Sequence, residues 1–318
     1  MTADAMPCFV GVDVSKASLD VHLRPSGQAF SCPNTPEGIA ALCARLAPLR
    51  PALVVLEATG GLERQPALAL AHAAIRVAVI NPGRIRNFAL ALGQLAKTDP
   101  IDAGVIAHFA EAVKPEPRPL PSRAEAEREA LQGRRRQLVK LLAMERNHLS
   151  SAPEPTRAMI EADVEHLERR VRELDAALRA KVAEDPEAAA AQAVLESAKG
   201  IGEVTSAMLV TWLPEIGKVT AKQVAKLVGV APWANDSGGR QGKRHCRAGR
   251  AEVRTALYLP TLTAMRCNPA IRAFSERLTA KGKPHKVVLI ACMRKLLGIL
   301  NAMVRDGRPW DDRLALSN

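Results

Sequence analysis

Between positions 114 and 121 the chain reads Lys114-Pro115-Glu116-Pro117-Arg118-Pro119-Leu120-Pro121, and no helix or central strand can run through it. Alternate prolines remove the backbone N–H that either ladder needs and hold φ near about −65°. The run divides the chain into two texts with different periodicities. Before it, short β-branched runs alternate with helical stretches. After it, the pattern is helical almost to the end.

In the first text, Phe9 to Val14 is a β-branched run, followed by a turn at Ser15-Lys16-Ala17. Leu19-Asp20-Val21-His22-Leu23 alternates apolar and polar residues, as a half-buried hairpin partner does. A third strand is expected around Gln28 to Ser31. Thr35 precedes a helical pattern to about Leu46, with Pro36 and Glu37 in its first turn. Ala52 to Glu57 and Arg76 to Ile80 read as buried strands, and Leu62 to Ala74 as the helix between them. Asn81-Pro82-Gly83 reads as a turn, and Ile101 to Val113 as a helix. The order predicts a mixed α/β sheet with an antiparallel start, ahead of a mostly helical remainder.

The second text opens with two long charged helices, separated by Ser150-Ser151-Ala152-Pro153-Glu154-Pro155. In the second helix Ile160, Val164, Leu167, Val171, Leu174 and Leu178 follow a 4-3-4-3-4 spacing, a heptad seam. Either a second copy covers that seam, giving a dimer or tetramer, or the two helices fold back on each other. The expected organisation is an α/β domain over 1–114, a linker over 115–121, coiled-coil helices over 122–193 and a mostly helical domain over 194–318.

Hydrophobic residues make up 47% of the 318 and charged residues 25%, which excludes a disordered chain. No uninterrupted apolar run approaches about 18 residues, so no membrane partner is expected, and no secretory signal is visible. The six cysteines lie apart, without metal-ligand spacing, which suits a reducing cytoplasm. Charge is more telling. Residues 1–236 hold 28 basic and 28 acidic side chains, whereas 237–318 hold 17 basic and 5 acidic. An excess confined to the last quarter points to a polyanion-binding face, with nucleic acid the obvious ligand.

Four carboxylates in the first text stand out. Asp13 interrupts an apolar strand, Glu57 ends another, and Asp99 and Asp102 lie three apart at a helix start. Carboxylates gathered in a dry cleft repel one another unless a cation neutralises them, and Mg²⁺, a hard oxygen-binding ion, suits such a set. The plainer alternative is that Asp99 caps its helix, Asp102 is a favourable first-turn acid and Glu57 meets solvent.

Gly11-Val12-Asp13-Val14-Ser15-Lys16 with Leu19-Asp20-Val21, Leu56-Glu57-Ala58-Thr59-Gly60, and Lys97-Thr98-Asp99-Pro100-Ile101-Asp102-Ala103 resemble the N-terminal domain of IS110-family transposases. The resemblance implies a RuvC-like domain of RNase H-like fold. Its acidic tetrad falls on Asp13, Glu57, Asp99 and Asp102.

In the basic region, Lys199-Gly200-Ile201-Gly202-Glu203 resembles the turn of a helix-hairpin-helix element. There Gly200, Gly202 and Thr205 would offer backbone and hydroxyl groups to a phosphate; the alternative is a packing corner. The stretch Gly229 to Arg250 is more unusual, with Ser237 between Asp236 and Gly238, and with Arg240, Lys243, Arg244, Arg247 and Arg250 around it. Ser237 is a candidate nucleophile in a phosphate cradle, or merely a hydrogen-bond donor to phosphate. Arg254, Lys283, Arg294 and Lys295 are further candidates for backbone contacts. With aromatic residues at 3%, base stacking is not expected to dominate recognition.

Lys226 to Pro232, Ser237-Gly238, Gly249, Arg254, Asn268-Pro269 and Arg294 to Leu297 resemble the C-terminal domain of the same family, whose catalytic serine falls on Ser237. Gly249-Arg250 departs from the family's Gly-Asn pair. The resemblance implies a recombinase that cuts and rejoins donor and target DNA through a phosphoserine. It also implies a guide RNA and an active site shared between protomers. The alternatives are a metal-dependent nuclease of the Holliday-junction type, in which Ser237 only holds phosphate, and a protein that binds nucleic acid without cutting it.

Overall fold

The computed structural model describes residues 6–94, 99–117, 120–233, 236–237, 240–242 and 244–312, with backbone alone at 99–101, 236–237 and 240–241. The chain folds as two compact units, Met1–Leu120 and Pro121–Asn318.

The first unit is a five-stranded sheet with helices on both faces. Its strands are β1 (Phe9–Val14), β2 (Ser18–Arg24), β3 (Ala29–Pro33), β4 (Leu53–Glu57) and β5 (Val77–Ile80), in spatial order β3-β2-β1-β4-β5. β1, β2 and β3 pair antiparallel, as tight turns allow, while β4 and β5 run parallel to β1 through helical crossovers. Helices α1 (Pro36–Leu46) and α2 (Arg64–His72) cover one face. Val10, Val12, Val14, Leu19, Val21 and Leu56 point into that layer. Helices α3 (Pro82–Ala91) and α4 (Asp99–Val113) cover the other, where Phe9, Leu53 and Val55 meet Ile85, Ile106 and Phe109.

The sequence missed α3. Asn81-Pro82-Gly83 is a helix start rather than a turn: the Asn81 side chain accepts from the Gly83 N–H, and Pro82 occupies the first helical position.

The second unit is helical. α5 (Arg123–Leu149) and α6 (Glu154–Ala183) form an antiparallel hairpin, with the capping box of Ser122 and Glu125 opening α5. α5 covers the α6 seam from within the chain: Leu138 and Leu142 are buried, as are Leu178 and Val182, and the rest of the seam is half-buried. Ion pairs Arg135–Asp175 at 2.5 Å and Arg146–Glu168 at 2.7 Å lace the hairpin. The remaining helices are α7 (Pro186–Glu196), α8 (Glu203–Trp212), α9 (Ala221–Val228), α10 (Ala251–Cys267), α11 (Pro269–Ala280) and α12 (His285–Asp306). Between α9 and α10 lie two two-residue strands, β6 (Asp236–Ser237) and β7 (Arg240–Gln241).

α12 is long and apolar enough to cross a membrane by length and composition, which counting uninterrupted apolar runs does not reveal, because Arg294-Lys295 breaks them. Leu289, Cys292, Met293, Leu296 and Leu300 are nonetheless buried against α7, α9, α10 and α11, making α12 the central core helix of its unit.

Candidate functional site

Asp13, one residue before the end of β1, and Glu57, the last residue of β4, lie on adjacent parallel strands. The register pairs Val12 with Leu56, so the next residue on each strand stands side by side. Side chains alternate across a strand. Phe9 and Gly11 face α4, so Asp13 does too; Leu53 and Val55 face it, and Glu57 follows. The Asp13 carboxylate would be costly there without partners; it is half-buried and not without one.

The start of α4 arrives at the same place. Gly11 lies against the backbone of Ala103 and Ala107, so closely that a Cβ would fall inside it. Lys114, just past the end of α4, has its Nζ 5.8 Å from the Phe9 ring centroid. α4 therefore runs antiparallel to β1. Two strand residues span about 7 Å, the rise of four to five helical residues at about 1.5 Å each. Asp13 thus comes level with the first turn of α4, which holds Asp99 and Asp102.

The donors on offer are carboxylate oxygens, which fit a hard divalent ion and not a soft one. Among the described residues no three His, Cys, Asp or Glu side chains already converge on a metal position; the Asp99 side chain lies outside them.

Two residues were not singled out from the sequence. Asp20 pairs directly with Asp13 across β1 and β2, on the same face, and its Oδ2 accepts from the Ser18 hydroxyl at 3.1 Å. Glu63, buried, accepts from the N–H groups of Thr59 and Gly61, both at 2.9 Å, bracing the turn that follows Glu57. The alternation of β2 could have flagged Asp20; nothing local distinguishes Glu63.

In the second unit, Ser237 sits on a minimal hairpin: Asp236 pairs with Gln241 and Ser237 with Arg240. Below it Trp233 N–H donates to the His245 carbonyl at 3.0 Å, closing the stem. Lys243 and the side chains of Ser237 and Arg240 lie outside the described residues. Farther down, Gly229 and Gly249 touch backbone to backbone, both with positive φ (79° and 75°), an approach that a Cβ on either would block.

The arginines around this loop divide by role. Arg250 forms a bidentate pair with Glu215, at 2.5 and 2.6 Å, and donates to the Trp212 carbonyl at 3.0 Å. Arg254 donates to the carbonyls of Val228 and Ala248, at 2.9 and 2.7 Å. Both hold the stem of the loop. Arg247 instead stacks over the half-exposed Trp233 ring, 5.4 Å from its centroid, and Lys283 is exposed at the turn before α12.

At the Gly-Ile-Gly turn, Gly200 (φ 99°) packs against the backbone of Ala264 in α10, and Ile201 is buried. Gly202 precedes α8, and Thr205 is half-buried in its first turn. Glu203 already supplies a carboxylate to that helix N-terminus and pairs with Arg179 at 2.9 Å.

Residues 10–152 match a family model described as transposase, the DEDD type of IS110, and residues 192–276 match one described as transposase of the IS116/IS110/IS902 family. The chain carries IS110-family transposase domains. Two pilin gene-inverting proteins, from Moraxella lacunata and Moraxella bovis, are each 28% identical over 96% of this chain and 98% of their own length. A 43.6 kDa protein of insertion element IS110 from Streptomyces coelicolor is 32% identical over 45% of this chain and 36% of its own. The acidic strand ends and α4 lie within the first matched domain, and the Ser237 hairpin within the second.

Proposed function

We propose that this transposase-domain chain recombines DNA through a phosphoserine at Ser237, assisted by Mg²⁺ on Asp13, Glu57, Asp99 and Asp102. The reading rests foremost on the ends of β1 and β4 and the start of α4 arriving at one edge of the first unit. The strand order β3-β2-β1-β4-β5 is that of an RNase H-like sheet and supports the RuvC-like reading of this unit. The names of the Moraxella relatives, which invert a gene, support rejoining rather than cutting alone.

Ser237 Oγ attacks the scissile phosphorus, and a serine–phosphate ester forms as the bridging P–O bond breaks. The hydroxyl proton leaves, and the departing sugar oxygen takes one up. Bond energy is kept in the ester, so the reverse attack by another strand's hydroxyl rejoins DNA without an external energy source. The bound ion would neutralise charge building on the phosphate and on the leaving oxygen. The carboxylates would hold that ion, and the arginine-braced stem holds the Ser237 hairpin in place.

A guide RNA would read donor and target by base pairing while the basic unit grips backbone, a division that suits a protein with so few aromatic residues. The partly exposed Val139, Leu141 and Met144 on the α5–α6 hairpin leave apolar surface for a second copy, as a composite active site requires.

The test is a search for a covalent protein–DNA adduct on a denaturing gel, with the protein expressed beside its native flanking DNA. Wild type is expected to form the adduct, and Ser237→Ala and Asp13→Ala to form none. Cleaved DNA without adduct, persisting in Ser237→Ala, would instead establish a metal-dependent nuclease. Salt-sensitive binding with neither cleavage nor adduct would leave a binding protein.

A further inference from the structure

A groove of about 1260 Å³ runs along α12, larger than the roughly 300–1,000 Å³ of a site for one small molecule. Small side chains make the room: Ala291, Gly298 and Ala302 lie on one stripe of the helix, seven and four residues apart. One wall is the stem of the Ser237 hairpin, from Gly229 to Pro232 and from Arg244 to Cys246; the other is α11. Residues 308–311 close one end. That end is pinned: the Trp310 N–H donates to Ser197 Oγ at 2.8 Å, its indole donates to Asp312 at 2.7 Å, and Asp312 pairs with Lys199 at 2.6 Å.

The lining has two chemistries. Ile290, Ile299, Met303 and the Trp310 and Phe274 rings make it apolar inside. Arg277 and Lys295 both stand 5.2 Å from the Phe274 ring centroid. Around them come Lys286, Arg294 and Arg308, against two lining carboxylates, of which Asp306 is already paired with Arg305. Arg294 also lies close enough, with Arg254, to offset part of the rise that burial imposes on the Cys246 thiol.

A duplex presents phosphates and hides its bases, so it could use the cations but not the apolar interior. An unpaired nucleotide uses both, the base against the rings and aliphatic side chains, the phosphate on the rim. We infer that this groove binds unpaired nucleotides of a single-stranded nucleic acid, delivered beside the Ser237 hairpin. The inference rests on the nucleic-acid reading above and names the form of the strand.

The experiment uses the full chain, with a fluorescent hexathymidylate as the single-stranded probe and a duplex of mixed sequence as the control. Ala302→Leu fills the groove without adding charge. Arg294→Glu reverses an exposed rim charge, away from the core. Both are expected to weaken hexathymidylate binding at least tenfold, and Ala302→Leu, which leaves the charge alone, to change duplex affinity less than threefold. Thermal melting within a few degrees of wild type shows that each variant folds.

Equal losses for single strand and duplex in Ala302→Leu would overturn the groove as a single-strand site. So would unaltered hexathymidylate binding in Ala302→Leu, or wild-type protein that binds duplex alone. Displacement of the probe by decyl phosphate at concentrations where thymidine monophosphate has no effect would assign the groove to an alkyl anion. None of these outcomes bears on the phosphoserine, which the adduct gel decides separately.

Discussion

Asp185 illustrates how much one side chain does in this fold. It caps α7, its Oδ1 accepting from the N–H groups of Glu187 and Ala188 at 3.1 Å, while its Oδ2 accepts from Arg128 at 2.9 Å. Arg128 is 3% exposed, so its charge depends on that partner. The Ala188 N–H, with Arg128 adding to it, holds the Asp185 carboxyl below the usual range despite partial burial. Asp185→Ala is expected to cost about 2–4 kcal/mol in urea unfolding, from the lost cap and the stranded guanidinium. A lowered folded pKa contributes stability that is complete above the unfolded value, about 3.9, and lost as pH falls through the folded one. The gap between wild type and Asp185→Ala should therefore narrow below about pH 4. At this scale the sequence is least informative. Arg250 reads as one more cation in a basic loop, and only the packed structure sets it on Glu215 and the Trp212 carbonyl.

Among the elements, α4 shows local pattern and tertiary constraint working together. Its helical period and the strand character of Phe9 to Val14 are both legible in the sequence. That they meet at Gly11 is not, because glycine in a strand reads as a weakness until a helix is seen lying on it. Gly11→Ala should push α4 off the sheet, lowering stability by roughly 1–3 kcal/mol as overpacking does. Because Asp99 and Asp102 travel with α4, adduct formation should fall by more than the loss of folded protein explains. Circular dichroism melts and the denaturing gel, run on the same sample, separate the two effects. The α5–α6 hairpin gives the complementary case: the heptad seam is plain in the sequence, yet the same spacing serves a neighbour from the same chain or from another.

For the whole molecule, charge is divided between the units. Residues 1–120 carry 11 basic and 10 acidic side chains, so nearly the entire net charge of +12 belongs to the second unit. Binding to duplex of arbitrary sequence should show log K falling with log salt at about −0.9 per phosphate contacted. Lys283→Glu, exposed in the second unit, should make that slope shallower by about one. Arg76→Glu, exposed in the first, should leave it unchanged. Equal effects from the two variants would mean that the basic excess is not the binding face.

What the sequence determined by itself was whatever depends on neighbours along the chain. That covers the strand runs, the helical periods, the break at the prolines, the motifs that carry the family resemblance and the lopsided charge. What only the tertiary structure decided was which distant groups share space. It set Asp13 beside Glu57 and Asp20, laid α4 antiparallel to β1, and committed Arg250 and Arg254 to the loop stem. It also gathered Phe274, Trp310 and the cations of α11 and α12 around one groove, although aromatic residues are only 3% of the chain. The reason is physical: periodicity reports which face of an element is buried, whereas the partner on that face is selected by close packing among residues far apart in sequence.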